Sequence, residues 1–354
     1  ENLKADEKIP DPALPDYFIG VRSSWEIDLW GKLKNQKQTA VNTLLAENEN
    51  RRLIETELIT NIASAYYELI SLDKKVLVFN QNIELHEKAL ALTIFQKEAG
   101  RATELGVQQF KAILASSKAH REQVRQEISI LEHHINFLTG HYNKPIERKT
   151  DGFFETNLFA ELHVGTPYQM LARRPDVRAA AFSLTATEHG LHAARAAFLP
   201  AVVISPQIGL QAFNFNKLSN LDKSLTYSLL GGLTAPLFNN RQLKSQYEVF
   251  KAEYGIAFLS YEKVVLNAYH EVSNAINAQD YLIRREQFIS EQASAQRAAV
   301  ISADELFLAG RVSYLDIITA QKEVLDAELA EVEIQKEQLL NQIVIYKSLG
   351  GGWQ

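Results

Sequence analysis

The 354 residues carry a formal net charge of −6, with 46% hydrophobic and 23% charged residues, so the chain is neither disordered nor uniformly lipid-soluble. That balance, with no Lys/Arg-rich block, speaks against a phosphate-binding surface and against nucleic acid as a partner. Zero Cys removes disulfides, thiolate metal sites and Cys nucleophiles together.

Glu1-Asn2-Leu3-Lys4-Ala5-Asp6 is polar from the start, so no signal peptide is read there, and no run of about 18 apolar residues marks a transmembrane helix. A closed β-barrel remains open, because its strands need only about 10 alternating residues. In chain order the first legible element is such a strand, over residues 17–30. Ile19, Val21, Trp25, Ile27 and Leu29 alternate there with Gly20, Arg22, Ser24, Glu26 and Asp28. A long helix follows over 31–98. Leu58, Ile62, Ala65, Leu69, Leu72, Val76, Phe79 and Ile83 keep spacings of three and four, and only His86 interrupts the seam before Leu90 and Ile94. With no proline and no internal glycine, about 68 residues make a rod on the order of 100 Å, too long for a compact domain.

Gly100 suits a helix C-cap and Thr103 an N-cap, so the chain turns there and returns as a helix over 103–139. Residues 141–167 have the mixed composition of an irregular linker. Pro175 suits the first turn of a helix over 176–198, which Pro200 ends. Two more alternating segments follow. In 200–215 the apolar side is Val202, Ile204, Ile208, Leu210 and Ala212; in 224–238 it is Leu225, Tyr227, Leu229, Leu233 and Leu237. A second long helix over 239–308, a break at Gly310 and a returning helix over 313–347 complete the chain.

The second half repeats the first, at a period of about 205 residues. Ala65-Tyr66-Tyr67-Glu68 recurs as Ala268-Tyr269-His270-Glu271, and Ala99-Gly100-Arg101 as Ala309-Gly310-Arg311. Leu138-Thr139-Gly140 answers Ser348-Leu349-Gly350, and Leu29-Trp30-Gly31-Lys32 sits where the second half has Leu237-Phe238-Asn239-Asn240. The organisation is therefore a first repeat over 1–140, a linker over 141–167 and a second repeat over 168–354. Helices alone fit a soluble antiparallel coiled coil, and each strand alone fits a half-buried strand of a soluble sheet. Three such strands joined to helices too long for a globule point to a membrane-crossing barrel. Three strands cannot close one, so partner copies are required.

Several motifs resemble a known family. Trp25-Glu26-Ile27-Asp28-Leu29-Trp30-Gly31-Lys32 is similar to the strand-to-helix junction of TolC-like outer-membrane factors, more closely of the OprM-like branch, which serve RND-type tripartite efflux pumps. Leu171-Ala172-Arg173-Arg174-Pro175-Asp176-Val177-Arg178-Ala179-Ala180 resembles that family's most recognisable motif. Ala194-Arg195-Ala196-Ala197-Phe198-Leu199-Pro200 and Ser348-Leu349-Gly350-Gly351-Gly352-Trp353 resemble its later signatures. The resemblance implies a mainly α fold with a small β part, whose duplicated repeat builds a trimeric α-helical barrel and a shared transmembrane β-barrel. It also implies a strand before Tyr17 and, in the OprM-like branch, a lipid-bearing N-terminal Cys, neither of which is in the sequence.

The implied function is an outer-membrane exit duct with a long periplasmic extension. Its partners would be two further copies of itself, outer-membrane lipid, a periplasmic adaptor and an inner-membrane RND-type pump. No phosphate loop and no Ser elbow is present, and the pairs His189/His192 and His133-His134 lack a third ligand at supporting spacing. No catalysis, cofactor or metal is therefore expected. In the resemblance Gly100, Arg101, Thr103, Gly310, Arg311 and Ser313 contact the adaptor at the periplasmic tip. Asp316 would line a constricting ring that favours cations, with Gly106 in the matching position of the first half. The rival readings are a soluble periplasmic coiled-coil adaptor or scaffold, and a helical enzyme with a hidden metal site.

Overall fold

A computed structural model of the chain describes residues 15–148, 173–235, 238 and 241–351. Leu171 and Ala172, the linker from 149 on, Leu237, Asn239, Asn240, Gly352 and Trp353 lie outside the described residues. The strands are β1 (Tyr17–Arg22), β2 (Trp25–Ile27), β3 (Ala201–Ala212) and β4 (Leu225–Thr234). The helices are α1 (Lys32–Glu98), α2 (Glu104–Leu138), α3 (Pro175–Ala196), α4 (Gln242–Leu308) and α5 (Tyr314–Ser348), and a 3-10 turn, Phe215–Lys217, and a short helical turn, Leu221–Ser224, join β3 to β4. Contacts group the chain into two units, one drawn from Glu1–Glu47 and Ala180–Tyr261, the other from Asn48–Ala179 and Glu262–Gln354. Each unit draws on both sequence halves.

The duplication is closer than the sequence matches suggest. α1 and α4 each run 67 residues, and α2 and α5 each run 35. Starts and ends recur from 32 to 242, 98 to 308, 104 to 314 and 138 to 348, a constant offset of 210. Buried residues obey the same offset, as Ala65 with Ala275, Leu72 with Leu282 and Ile83 with Ala293. The tetrapeptide beginning at Ala65 and at Ala268 is therefore out of place by one heptad. Seven residues are two helical turns, which keeps the motif on the seam while moving it along the helix.

In the first unit the sheet pairs antiparallel, with β3 between β4 and the β1/β2 line. Tyr17 opposes Ala212 and Arg22 opposes Gln207; beyond the gap, Trp25 opposes Ile204 in unbroken register. The single strand expected over 17–30 is thus interrupted without a bulge. The cause lies on the partner: Ser23 donates its N–H to Pro206 O at 3.0 Å, but Pro206 has no N–H to return. Beside the sheet, α3 lies on the start of α1, where Thr39 Oγ1 donates to Ala186 O at 3.2 Å. Gly190 lets the Phe250 ring approach closely, since a Cβ there would meet it at 3.2 Å.

In the second unit α1 lies between α2 and α5. Ala65 and Leu69 bury against Ile135 of α2, Leu72 and Phe79 against Val124 of α2, and Tyr67 against Leu339 and Ile343 of α5. α5 is tied on its other side to α4, where Asn341 Nδ2 donates to Ala275 O at 3.0 Å and Arg285 pairs with Glu337 at 2.7 Å. Three of the five buried residues of α4 are alanines, Ala268, Ala275 and Ala293, small enough for close helix approach.

Candidate functional site

Both long helices end in the same way. Gly100 and Gly310 have φ of +70° and +71°. Gly100 N–H donates to Lys97 O and Arg101 N–H to Gln96 O, and Gly310 and Arg311 do the same to Phe307 and Leu306. These paired bonds satisfy the last free carbonyls of each helix and reverse the chain. Arg101 and Arg311 stand exposed just past the carbonyl ends of α1 and α4. Thr103 Oγ1 then accepts from Gly106 N–H at 3.3 Å and starts α2.

The second turn starts its helix differently. Asp316 Oδ2 accepts from both the backbone N–H and the hydroxyl of Ser313, each at 2.8 Å. Those bonds, the hydroxyl's first, hold the Asp316 carboxyl below the usual range. At the matching position Gly106 is buried, and a Cβ there would stand 3.3 Å from the Tyr314 ring. The glycine seats that ring, so the starts of α2 and α5 lie side by side. Glu104, which matches Tyr314, instead pairs with Lys97 across the first turn.

Two buried polar groups lie farther along the second unit. His86, the interruption of the apolar seam, is buried, with Nδ1 3.0 Å from Oε1 of the equally buried Gln321 on α5. Burial lowers its pKa. Arg174 joins three elements: Nε and Nη2 hold the Asp176 carboxylate at 3.0 and 2.8 Å, Nη2 reaches Glu271 at 2.7 Å, and Nη1 donates to Ser348 O at 3.0 Å. The Arg-Arg-Pro-Asp motif thus fastens the start of α3 to α4 and to the end of α5.

The sheet separates its residues by chemistry. Ile19, Val21, Trp25 and Ile27 share a face with Leu210, Ile208, Ile204 and Val202, and with Leu225, Tyr227, Leu229 and Leu233. That face is uncovered: Tyr227 is 80% and Leu229 73% exposed. Gly20, Arg22, Glu26, Ser205, Gln207, Gly209, Thr226, Ser228 and Thr234 lie on the other face, with Phe18, Val203 and Leu230 among them. An uncovered apolar face backed by a polar one is what a sheet between lipid and water needs, and a soluble sheet does the reverse.

Sequence reasoning passed over a polar line on α1 at seven-residue spacing: Asn35, Asn42, Glu49 and Thr56. Asn35 Oδ1 meets His189 Nδ1 at 2.8 Å, and Glu49 Oε1 takes Arg52 at 2.8 Å and Arg178 at 2.9 Å. The spacing itself was the available signal. No group of three potential metal-ligating side chains occurs among the described residues, and His189 and His192 pack edge to face at 6.4 Å. No described helix is apolar enough to cross a membrane.

The family model described as outer membrane efflux protein matches residues 2–141 and 166–351. The chain belongs to that family. The pyoverdine export outer membrane protein OpmQ of Pseudomonas putida is 27% identical over 353 residues, covering 100% of this chain and 74% of that protein. The cation efflux system protein CusC of Escherichia coli is 24% identical over 360 residues, covering 100% and 75%. Among solved structures, the outer-membrane channel OprN superposes with a TM-score of 0.88 at 26% identity, covering 97% of this chain and 78% of that one. VceC of Vibrio cholerae gives 0.87 at 22% identity, covering 99% and 85%, a likeness of fold. The protein is an outer-membrane efflux channel with the TolC-like fold, as its motifs imply, and the soluble-adaptor reading is set aside.

Proposed function

We propose that three copies of this protein form a passive duct, with the sheets contributing to one barrel in the outer membrane and the long helices extending into the periplasm. The two sequence repeats, 1–140 and 168–354, give each copy two matching helical hairpins, with 141–167 between them. The reading is carried by the uncovered apolar face of the sheet, which lipid would cover, with the polar face turned to the lumen. Nothing in the duct needs chemistry of its own; an inner-membrane RND-type pump supplies the energy.

The turns at Gly100, Arg101, Thr103 and Gly310, Arg311, Ser313 are the contact for a periplasmic adaptor, because each offers an exposed arginine on a fixed reversal. Asp316 lines the gate, with its carboxylate held at the start of α5 by Ser313. Membrane fractionation with crosslinking tests the duct: the protein should partition with outer-membrane lipid as a trimer, and recovery in the soluble periplasmic fraction would sink the reading. Asp316→Ala should raise single-channel conductance and lower cation preference. Wild-type values for both would make the residue a helix cap alone.

A further inference from the structure

The polar face of the sheet holds a charge whose placement is built from its neighbours. Gly20 of β1 and Gly209 of β3 stand opposite each other in register. A Cβ on Gly20 would fall 2.4 Å from Ile208 O, and one on Gly209 would fall 2.6 Å from Ile19 O. Each would also fall within 2.7 or 2.8 Å of Phe18 Cζ. The two glycines are thus a bare floor on which the Phe18 ring lies. Over that ring sits Arg22, its guanidinium carbon 4.5 Å from the ring centroid.

Within the strands this face carries two charges among the described residues, Arg22 and Glu26. Glu26 is neutralised by Lys32 at 3.0 Å. Among the described residues Arg22 has no carboxylate partner; it opposes Gln207, which in turn opposes Ser228. Asp16, about 20 Å along the strand direction from Arg22, accepts both of its bonds from Gln211 Nε2, at 2.8 and 3.0 Å. A guanidinium resting on an aromatic ring loses rotamer freedom but keeps its charge and its planar donor fork, which matches a carboxylate.

We propose that Arg22 determines selectivity in the strand region, as a fixed cation on the conduit wall that favours anionic solutes, organic carboxylates above all. The inference rests on the reading of the polar face as the lumen wall. It gives the duct opposite charge preferences at two places, Arg22 in the sheet and Asp316 at the helix turn.

The test uses the protein in planar bilayers under a KCl gradient. The 354 residues contain no Cys, so Ser228→Cys and Tyr227→Cys can report which face is open to water. Around 0.1 M salt, where charges act over about 10 Å, Arg22→Gln should shift the chloride-to-potassium permeability ratio about twofold toward potassium. The shift should disappear near 1 M, where the range is about 3 Å, and Arg22→Lys should keep the wild-type ratio. If Ser228→Cys reacts with an impermeant thiol reagent and Arg22→Gln leaves the ratio unchanged at low salt, the role of Arg22 is overturned and the lumen reading stands. If Tyr227→Cys reacts and Ser228→Cys does not, the face assignment is reversed and both fall.

Discussion

Single side chains show how polar groups are tolerated inside long helices. His86 sits in an apolar seam because Gln321 meets its ring from the facing helix, and burial keeps the imidazole neutral. Its folded pKa lies below the ordinary value of 6.5, so the unfolded chain binds a proton first as pH falls. Stability should be fully present above about pH 6.5 and decline as pH drops below it, levelling off under the folded pKa. Thermal melts between pH 7.5 and 5 should show that slope, and His86→Gln should flatten it; an unchanged slope would assign it to other groups. Arg174 makes a stronger demand. Removing it leaves Ser348 O and Glu271 without this donor and Asp176 with the Val177 N–H alone, and because the two acids are partly exposed the expected loss for Arg174→Ala is about 2–3 kcal/mol. Arg174→Lys should recover little, since one ammonium cannot reproduce a fork that reaches three acceptors. Chemical denaturation of the three proteins checks the order.

At the scale of elements, the sheet makes the sharpest prediction. Lys at Leu229 places a charge on the uncovered apolar face, at a cost of about 2–4 kcal/mol near the bilayer midplane, whereas Lys at Gln207 stays on the polar face. Outer-membrane levels of Leu229→Lys should therefore fall sharply while those of Gln207→Lys hold; equal levels would contradict the faces. Those faces were legible in the sequence because a strand's period is two, and most apolar residues keep it, with Phe18, Val203 and Leu230 the exceptions on the polar face. The break at Ser23 and Ser24 was not legible, since Pro206, which causes it, is far away in the chain. Gly106 matches Asp316 in position, but its neighbour in space is Tyr314, which no local pattern announces. Asp316 was noticed for its resemblance. Its Ser313-Tyr314-Leu315-Asp316 spacing is also a helix-start signature, so the local reason was present too.

On the scale of the whole molecule, both units leave edges open. In the first, among the described residues, the sheet ends at β4 on one side and at β1 and β2 on the other, so rows of backbone groups remain to be paired. In the second, α2 and α4 flank α1 and α5, and both present large apolar side chains to the outside: Ile130 and Phe137 on α2, Tyr281 and Phe288 on α4. Isolated exposed residues need no explanation, but open edges in both units do. A repeated head-to-tail contact that closes into a ring covers such edges in every copy. If α4 borders a neighbouring copy in that ring, Phe288→Glu should weaken the trimer while leaving each copy's helices intact. Light scattering in mild detergent should then show smaller species for Phe288→Glu than for wild type, with helical circular dichroism per residue unchanged. A variant that stays trimeric to the same detergent concentration would place the flank of α4 outside the interface and leave the sheet edges to hold the ring together.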